Sequence, residues 1–88
     1  MHSVFFSNNA RNFLKNADGE IKQKISRLVE TLKLFPVPVK EHDVVKLAGT
    51  DDMYRIRISS FRIIYRIFWN SKEIHILKIE RKSETTYK

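Results

Sequence analysis

The apolar positions of this chain change period once. From Ala10 to Leu32 they recur at intervals of three and four residues, and from Tyr54 onward they recur at every second residue. The first spacing is helical and the second is that of strands with one buried face. Ala10, Phe13, Leu14 and Ala17 follow the i, i+3, i+4, i+7 rule, and Ser7 before them offers an N-cap oxygen. Asp18-Gly19 signals a turn. A second helix is predicted from about Glu20 to Phe35, with Ile21, Ile25, Leu28, Val29 and Leu32 as its apolar stripe and Lys22, Lys24, Arg27 and Lys33 largely off it. The two helices form an αα-hairpin. Pro36 and Pro38 stop the second helix, because proline has no amide donor and disfavours helix in the residue before it. Residues 36–45 read as a loop, Val44 to Leu47 as a short extended piece, and Ala48 to Asp52 as a turn. His2 to Phe6 reads as an edge or inserted strand.

Three strands are predicted in the second half: Met53 to Ile58, Arg62 to Trp69 and Glu73 to Ile79, with turns at Ser59-Ser60 and Asn70-Ser71-Lys72. Tyr54, Ile56 and Ile58 share one face of the first strand, and Arg55 and Arg57 share the other. Ile63, Tyr65 and Ile67 share one face of the second, and Arg62 and Arg66 the opposite one. The polar tail runs from Glu80 to Lys88. The order β-α-α-β-β-β, with helices covering one face of a mainly antiparallel sheet, is an α+β fold. The face left open carries four guanidiniums, Arg55, Arg57, Arg62 and Arg66. Such a surface suits a polyanion, RNA foremost.

Composition adds sign and compartment. Eighty-eight residues make one domain, residues 1–88, with one small core. Lys plus Arg number 17 against 10 Asp plus Glu, a net charge of +7. Residues 1–45 hold 7 basic and 5 acidic side chains and residues 46–88 hold 10 and 5, so the basic surface belongs to the C-terminal half. There is no cysteine, which removes disulfides, thiol nucleophiles and cysteine metal sites and suits a cytoplasmic protein. No leader pattern is visible, and no apolar run approaches the roughly 20 residues that span a bilayer, so no membrane role is expected. His2, His42 and His75 sit on separate elements without metal or catalytic spacing, and Asp51-Asp52 reads as a solvated turn. No metal and no cofactor are expected. Phe5, Phe13, Phe35, Tyr65 and Trp69 read as core or helix–sheet contacts, and Phe61 as turn packing.

The order of motifs resembles the RelE family of toxins from toxin–antitoxin modules, of the archaeal type. A helical hairpin is followed by Lys46-Leu47-Ala48-Gly49, then Tyr54-Arg55-Ile56-Arg57, then Phe61-Arg62-Ile63-Ile64-Tyr65, then a last strand and a basic tail ending in Tyr87-Lys88. The likeness spans essentially the whole chain, and the ordered set carries it more than any one motif. It implies a ribosome-dependent endoribonuclease that cuts mRNA in the A site by attack of a 2′-hydroxyl on the adjacent phosphate. It also implies an acidic RelB-like antitoxin that forms a hetero-oligomer with the toxin. By the same resemblance the catalytic set is Arg55, Arg57, Arg62, Arg81 and Tyr87, with Lys46, Arg66, Lys82 and Lys88 adding contacts to RNA. ParE toxins share the fold, inhibit DNA gyrase and usually lack this full set; a passive RNA-binding module is a third reading. One departure matters. Familiar bacterial members carry lysine at both positions of the central basic pair, and here both are arginine. A guanidinium keeps its charge and binds phosphate bidentately, but it is a poor proton acceptor. The general base is thereby left open between Tyr87, a ribosomal group and water.

Overall fold

The computed structural model describes residues 1–81, in the order β1 (Ser3–Phe6), α1 (Asn8–Lys15), α2 (Gly19–Leu34), β2 (Asp43–Lys46), β3 (Met53–Ile58), β4 (Phe61–Phe68) and β5 (Glu73–Arg81). The first helix starts at the Ser7 cap that the sequence signals, and Asp18 of the predicted turn caps the second. The Ser7 hydroxyl accepts from the Ala10 amide at 3.1 Å, and the Asp18 carboxylate accepts from the Ile21 amide at 3.3 Å. Each satisfies a donor that a helix N-terminus leaves unpaired. The Ser7 hydroxyl also donates to the Leu77 carbonyl at 2.7 Å, tying the first helix to the last strand.

One five-stranded sheet has the order β1-β5-β4-β3-β2. β1 runs parallel to β5, and the remaining neighbours are antiparallel. The apolar stripes of α1 and α2 cover one face. Ala10, Ile21, Ile25, Leu28 and Leu32 meet Ile56, Ile63, Tyr65, Ile67, Ile74, Ile76 and Ile79 there, and all of these are buried. No helix of the described residues is long and apolar enough to cross a membrane.

The structure adds three things to the predicted pattern. Asp43–Lys46 is a full edge strand, so the order is β-α-α-β-β-β-β. The Tyr65 hydroxyl donates to the Pro36 carbonyl at 2.7 Å and pins the loop that brings this segment to β3. Glu80 and Arg81 continue β5 instead of opening a tail. Finally, β5 carries an irregularity: Ile64 faces Lys78 while Tyr65 faces Ile76, leaving Leu77 without a register partner on β4. This β-bulge lets Ile74, Ile76 and Ile79 share the buried face despite their mixed parity.

Three aromatic expectations are corrected. Phe5 is 46% exposed, because its register partner is His75 on the open face. Phe35 is the extended C-cap residue of α2 and turns outward at 57% exposure, and Trp69 lies in the turn after β4 at 50%. Phe13 and Tyr65 do pack as expected, and Phe61 meets Phe13 edge-on at 5.6 Å.

Candidate nucleic-acid interface

Strand alternation decides which basic side chains meet. Arg57 is the direct register partner of Arg62, and Arg62 in turn faces Glu80, while Asp43 faces Arg57. One row therefore crosses four strands as Asp43, Arg57, Arg62, Glu80. Two like charges directly opposite each other destabilise a sheet. Here each has a carboxylate on its outer side: Arg57 Nη1 lies 3.8 Å from Asp43 and Arg62 Nη2 lies 3.3 Å from Glu80. The carboxylates sit at the flanks, so the space between the two guanidiniums is where an anion is drawn. The Arg62 Nε is shielded from water and has no hydrogen-bond partner among the described residues. A buried donor of that kind costs free energy until something accepts from it.

The next row reads Val45, Arg55, Ile64, Lys78. Arg55 is half-buried, and no ion pair to it is formed among the described residues. Lys78 Nζ lies 3.4 Å from Glu80, which thus clamps two cations. Arg66 is on the same face nearer the other end, four residues along β4 from Arg62, or about 13 Å. It is held by Asp52 at 3.0 Å and its guanidinium lies 4.9 Å from the Phe68 ring. Asp52 is accordingly a strand-end anchor.

Two predicted residues lie elsewhere. Arg81 pairs with Phe61, whose ring packs toward the helices, so alternation puts Arg81 on the helix side of the sheet. Its guanidinium sits 4.7 Å over the Phe61 ring at the edge of a cleft that Asp18, Lys24 and Ser59 also line. Arg81 shares the end of the sheet with Arg57 and Arg62 but not their face. Lys46 faces Tyr54, again on the helix side. Lys82, Tyr87 and Lys88 lie outside the described residues.

The sequence reading missed Lys78, Glu80 and Asp43. A signal for the first two was available. Apolar residues at 74 and 76 followed by one at 79 require a parity switch, and a bulge there turns Lys78 and Glu80 to the open face. Among the histidines, His2 meets the Trp69 ring edge-on at 6.0 Å. Burial, the N-terminal amine and Lys72 hold its imidazole below the usual pKa. His75 Nε2 lies 3.0 Å from Glu73. Tyr65 is no proton acceptor: burial first, then the nearby Tyr54, push its phenol well above the ordinary value.

Known proteins give this geometry a setting. The family model of the ParE toxin of type II toxin–antitoxin systems, parDE, matches residues 4–86. The RelE1 protein of Methanocaldococcus jannaschii is 40% identical over 75 residues, covering 85% of this chain and 82% of that protein. A chain of the archaeal RelE–RelB complex from Pyrococcus horikoshii superposes with a TM-score of 0.85 at 29% identity, covering 94% of this chain and 97% of that one. The isolated E. coli RelE toxin superposes with a TM-score of 0.81 at 14% identity, covering 98% of this chain and 89% of that one, a likeness of fold alone.

Proposed function

The chain belongs to the RelE/ParE family of type II toxin–antitoxin toxins, on its archaeal RelE side, and from that premise we propose that it is an mRNA endoribonuclease acting in the ribosomal A site. The observation that carries the reading is the direct pairing of Arg57 with Arg62 on an open sheet face, with Arg55 and Lys78 in the next row. Register partners in an antiparallel pair stand about 5 Å apart at Cα, so two guanidiniums can address one phosphate.

In the reaction proposed, the 2′-hydroxyl attacks the neighbouring phosphorus and the P–O5′ bond breaks. The 2′-oxygen loses its proton, the 5′-oxygen gains one, and the products are a 2′,3′-cyclic phosphate and a 5′-hydroxyl. Negative charge builds on the non-bridging oxygens in the pentavalent state. Arg62, held by Glu80 at 3.3 Å, and Arg57 directly opposite it stabilise that charge. They do not accept the proton of the nucleophile; that step falls to Tyr87, a ribosomal group or water. No metal and no cofactor enter this scheme. The domain over 1–88 works in the cytoplasm, where translating ribosomes are.

A RelB-like acidic antitoxin is the partner proposed for this basic chain, supported by the RelE–RelB complex among the structural relatives. The family model of a ParE toxin keeps a second reading in view, a gyrase-binding inhibitor without nuclease activity. Primer extension on mRNA from programmed ribosomes separates the two. Cuts phased to the A site support the nuclease. Intact mRNA together with inhibited DNA supercoiling assigns the gyrase activity instead.

A further inference from the structure

The open face has a second end, which the arginine rows do not use. Phe5, on β1, lies beside His75, on β5, with ring centroids 5.1 Å apart and planes 38° apart. His75 meets Phe68, on β4, at 4.8 Å and 64°, and Phe68 carries the Arg66 guanidinium at 4.9 Å. Three rings and a guanidinium thus form one continuous π-surface across three strands. Phe5 and Phe68 are 46% and 36% exposed. Packing explains neither position, since the alternation that buries Ile67, Ile74 and Phe6 against the helices turns these rings outward. Exposed rings on adjacent strands are costly to leave in water.

We propose that Phe5, His75, Phe68 and Arg66 form a stacking platform for the bases of single-stranded RNA whose phosphates lie along Arg62, Arg57 and Lys78. The inference rests on the nuclease reading for its ligand and adds a base-binding subsite to it. Every base has a π-face, and aromatic and guanidinium surfaces accept one regardless of sequence. The platform shares its face with the cationic rows, the nearer of which crosses β4 at Ile64, two residues or about 7 Å from Arg66. A strand laid along β4 reaches both. Glu73, 3.0 Å from His75, repels phosphates from the Phe5–His75–Phe68 end and leaves them to the cationic rows. The cations Arg55, Arg57, Arg62 and Lys78 on the same face favour a polyanion whose bases can stack as its occupant.

The test measures binding of a fluorescent single-stranded ribo-oligonucleotide by wild-type protein and by the variants Phe68→Leu, Phe5→Leu and Phe68→Trp, each checked by circular dichroism. Leucine keeps apolar area and removes the ring, and tryptophan restores one. Each leucine variant is expected to bind roughly 5- to 100-fold more weakly, with Phe68→Trp at or above wild-type affinity. An abasic ribose-phosphate oligomer should bind all four proteins alike, because it engages only the cations. Equal affinity of wild type and Phe68→Leu for the base-bearing strand overturns the platform, as does failure of Phe68→Trp to bind it. Loss of antitoxin binding with RNA binding unchanged overturns it too, and assigns the face to a protein contact. None of these results touches the nuclease reading, which stands or falls on cleavage by ribosomes.

Discussion

The two faces of the sheet are built from the same strands and follow opposite rules. On the helix side, Ile56, Ile63, Ile67, Ile74 and Ile76 are fully buried and need nothing beyond close packing. On the open side, most neighbours of these residues in β3 and β4 are arginines, and two of them are like charges paired directly. The first face lowers the free energy of the folded chain by removing apolar area from water. The second holds Arg57 against Arg62 and leaves the Arg62 Nε unpaired among the described residues, arrangements that do not help folding. Stability and binding are therefore separated by strand parity, residue by residue.

The largest effect that would sharpen this contrast is on the covered side. Leu28, 1% exposed, contacts the sheet from α2, and Leu28→Ala is expected to cost about 2–5 kcal/mol. That is a large share of the roughly 5–15 kcal/mol that stabilises an ordinary domain. Urea denaturation checks it; a loss under 1 kcal/mol would mean the core tolerates a cavity.

Tyr65→Phe comes next. It removes the hydroxyl that holds the Pro36 carbonyl and should cost about 1–3 kcal/mol. It also carries a pH signature. The phenol is raised in the folded protein above its ordinary value of 10.0. Its contribution is therefore complete below pH 10 and lost as the pH rises beyond it, since the unfolded chain releases that proton first. Alkaline melting curves of wild type and variant should converge above pH 10. Parallel curves would show that another group governs alkaline unfolding.

On the open side, Arg57→Ala should leave the melting temperature within the scatter of surface substitutions, because its Asp43 partner is 58% exposed and 3.8 Å away. Its effect belongs in binding. The slope of log affinity for single-stranded RNA against log salt should become shallower by about 0.7, the loss of one phosphate contact. An unchanged slope would remove Arg57 from the phosphate path.

Much of this was legible in the sequence because period is a local property. The helix stripes, the Ser7 cap and the alternation of Arg55, Arg57, Arg62 and Arg66 follow from spacing alone. What was not legible depends on register and long-range contact. The extended piece at Val44 to Leu47 was legible, but its pairing with β3 as an edge strand was not, because two adjacent valines carry no alternation to fix a register. The resemblance groups Arg81 with Arg62, and the bulge at Leu77 together with its pairing to Phe61 sends Arg81 to the other face. Phe5 looked apolar and hence buried, and only its pairing with His75 turns it outward.

The separation of the two faces is tested most directly by substituting neighbours in β4. Arg62 and Ile63 are consecutive and point in opposite directions. Arg62→Ala and Ile63→Val should be compared in single-turnover cleavage of A-site mRNA on programmed ribosomes, beside their thermal melting. Arg62→Ala is expected to cleave about 100- to 1,000-fold more slowly at an unchanged melting temperature. Ile63→Val should lose about 0.5–1.5 kcal/mol of stability and cleave at the wild-type rate. A folded Arg62→Ala protein that cuts mRNA as fast as wild type would contradict that separation.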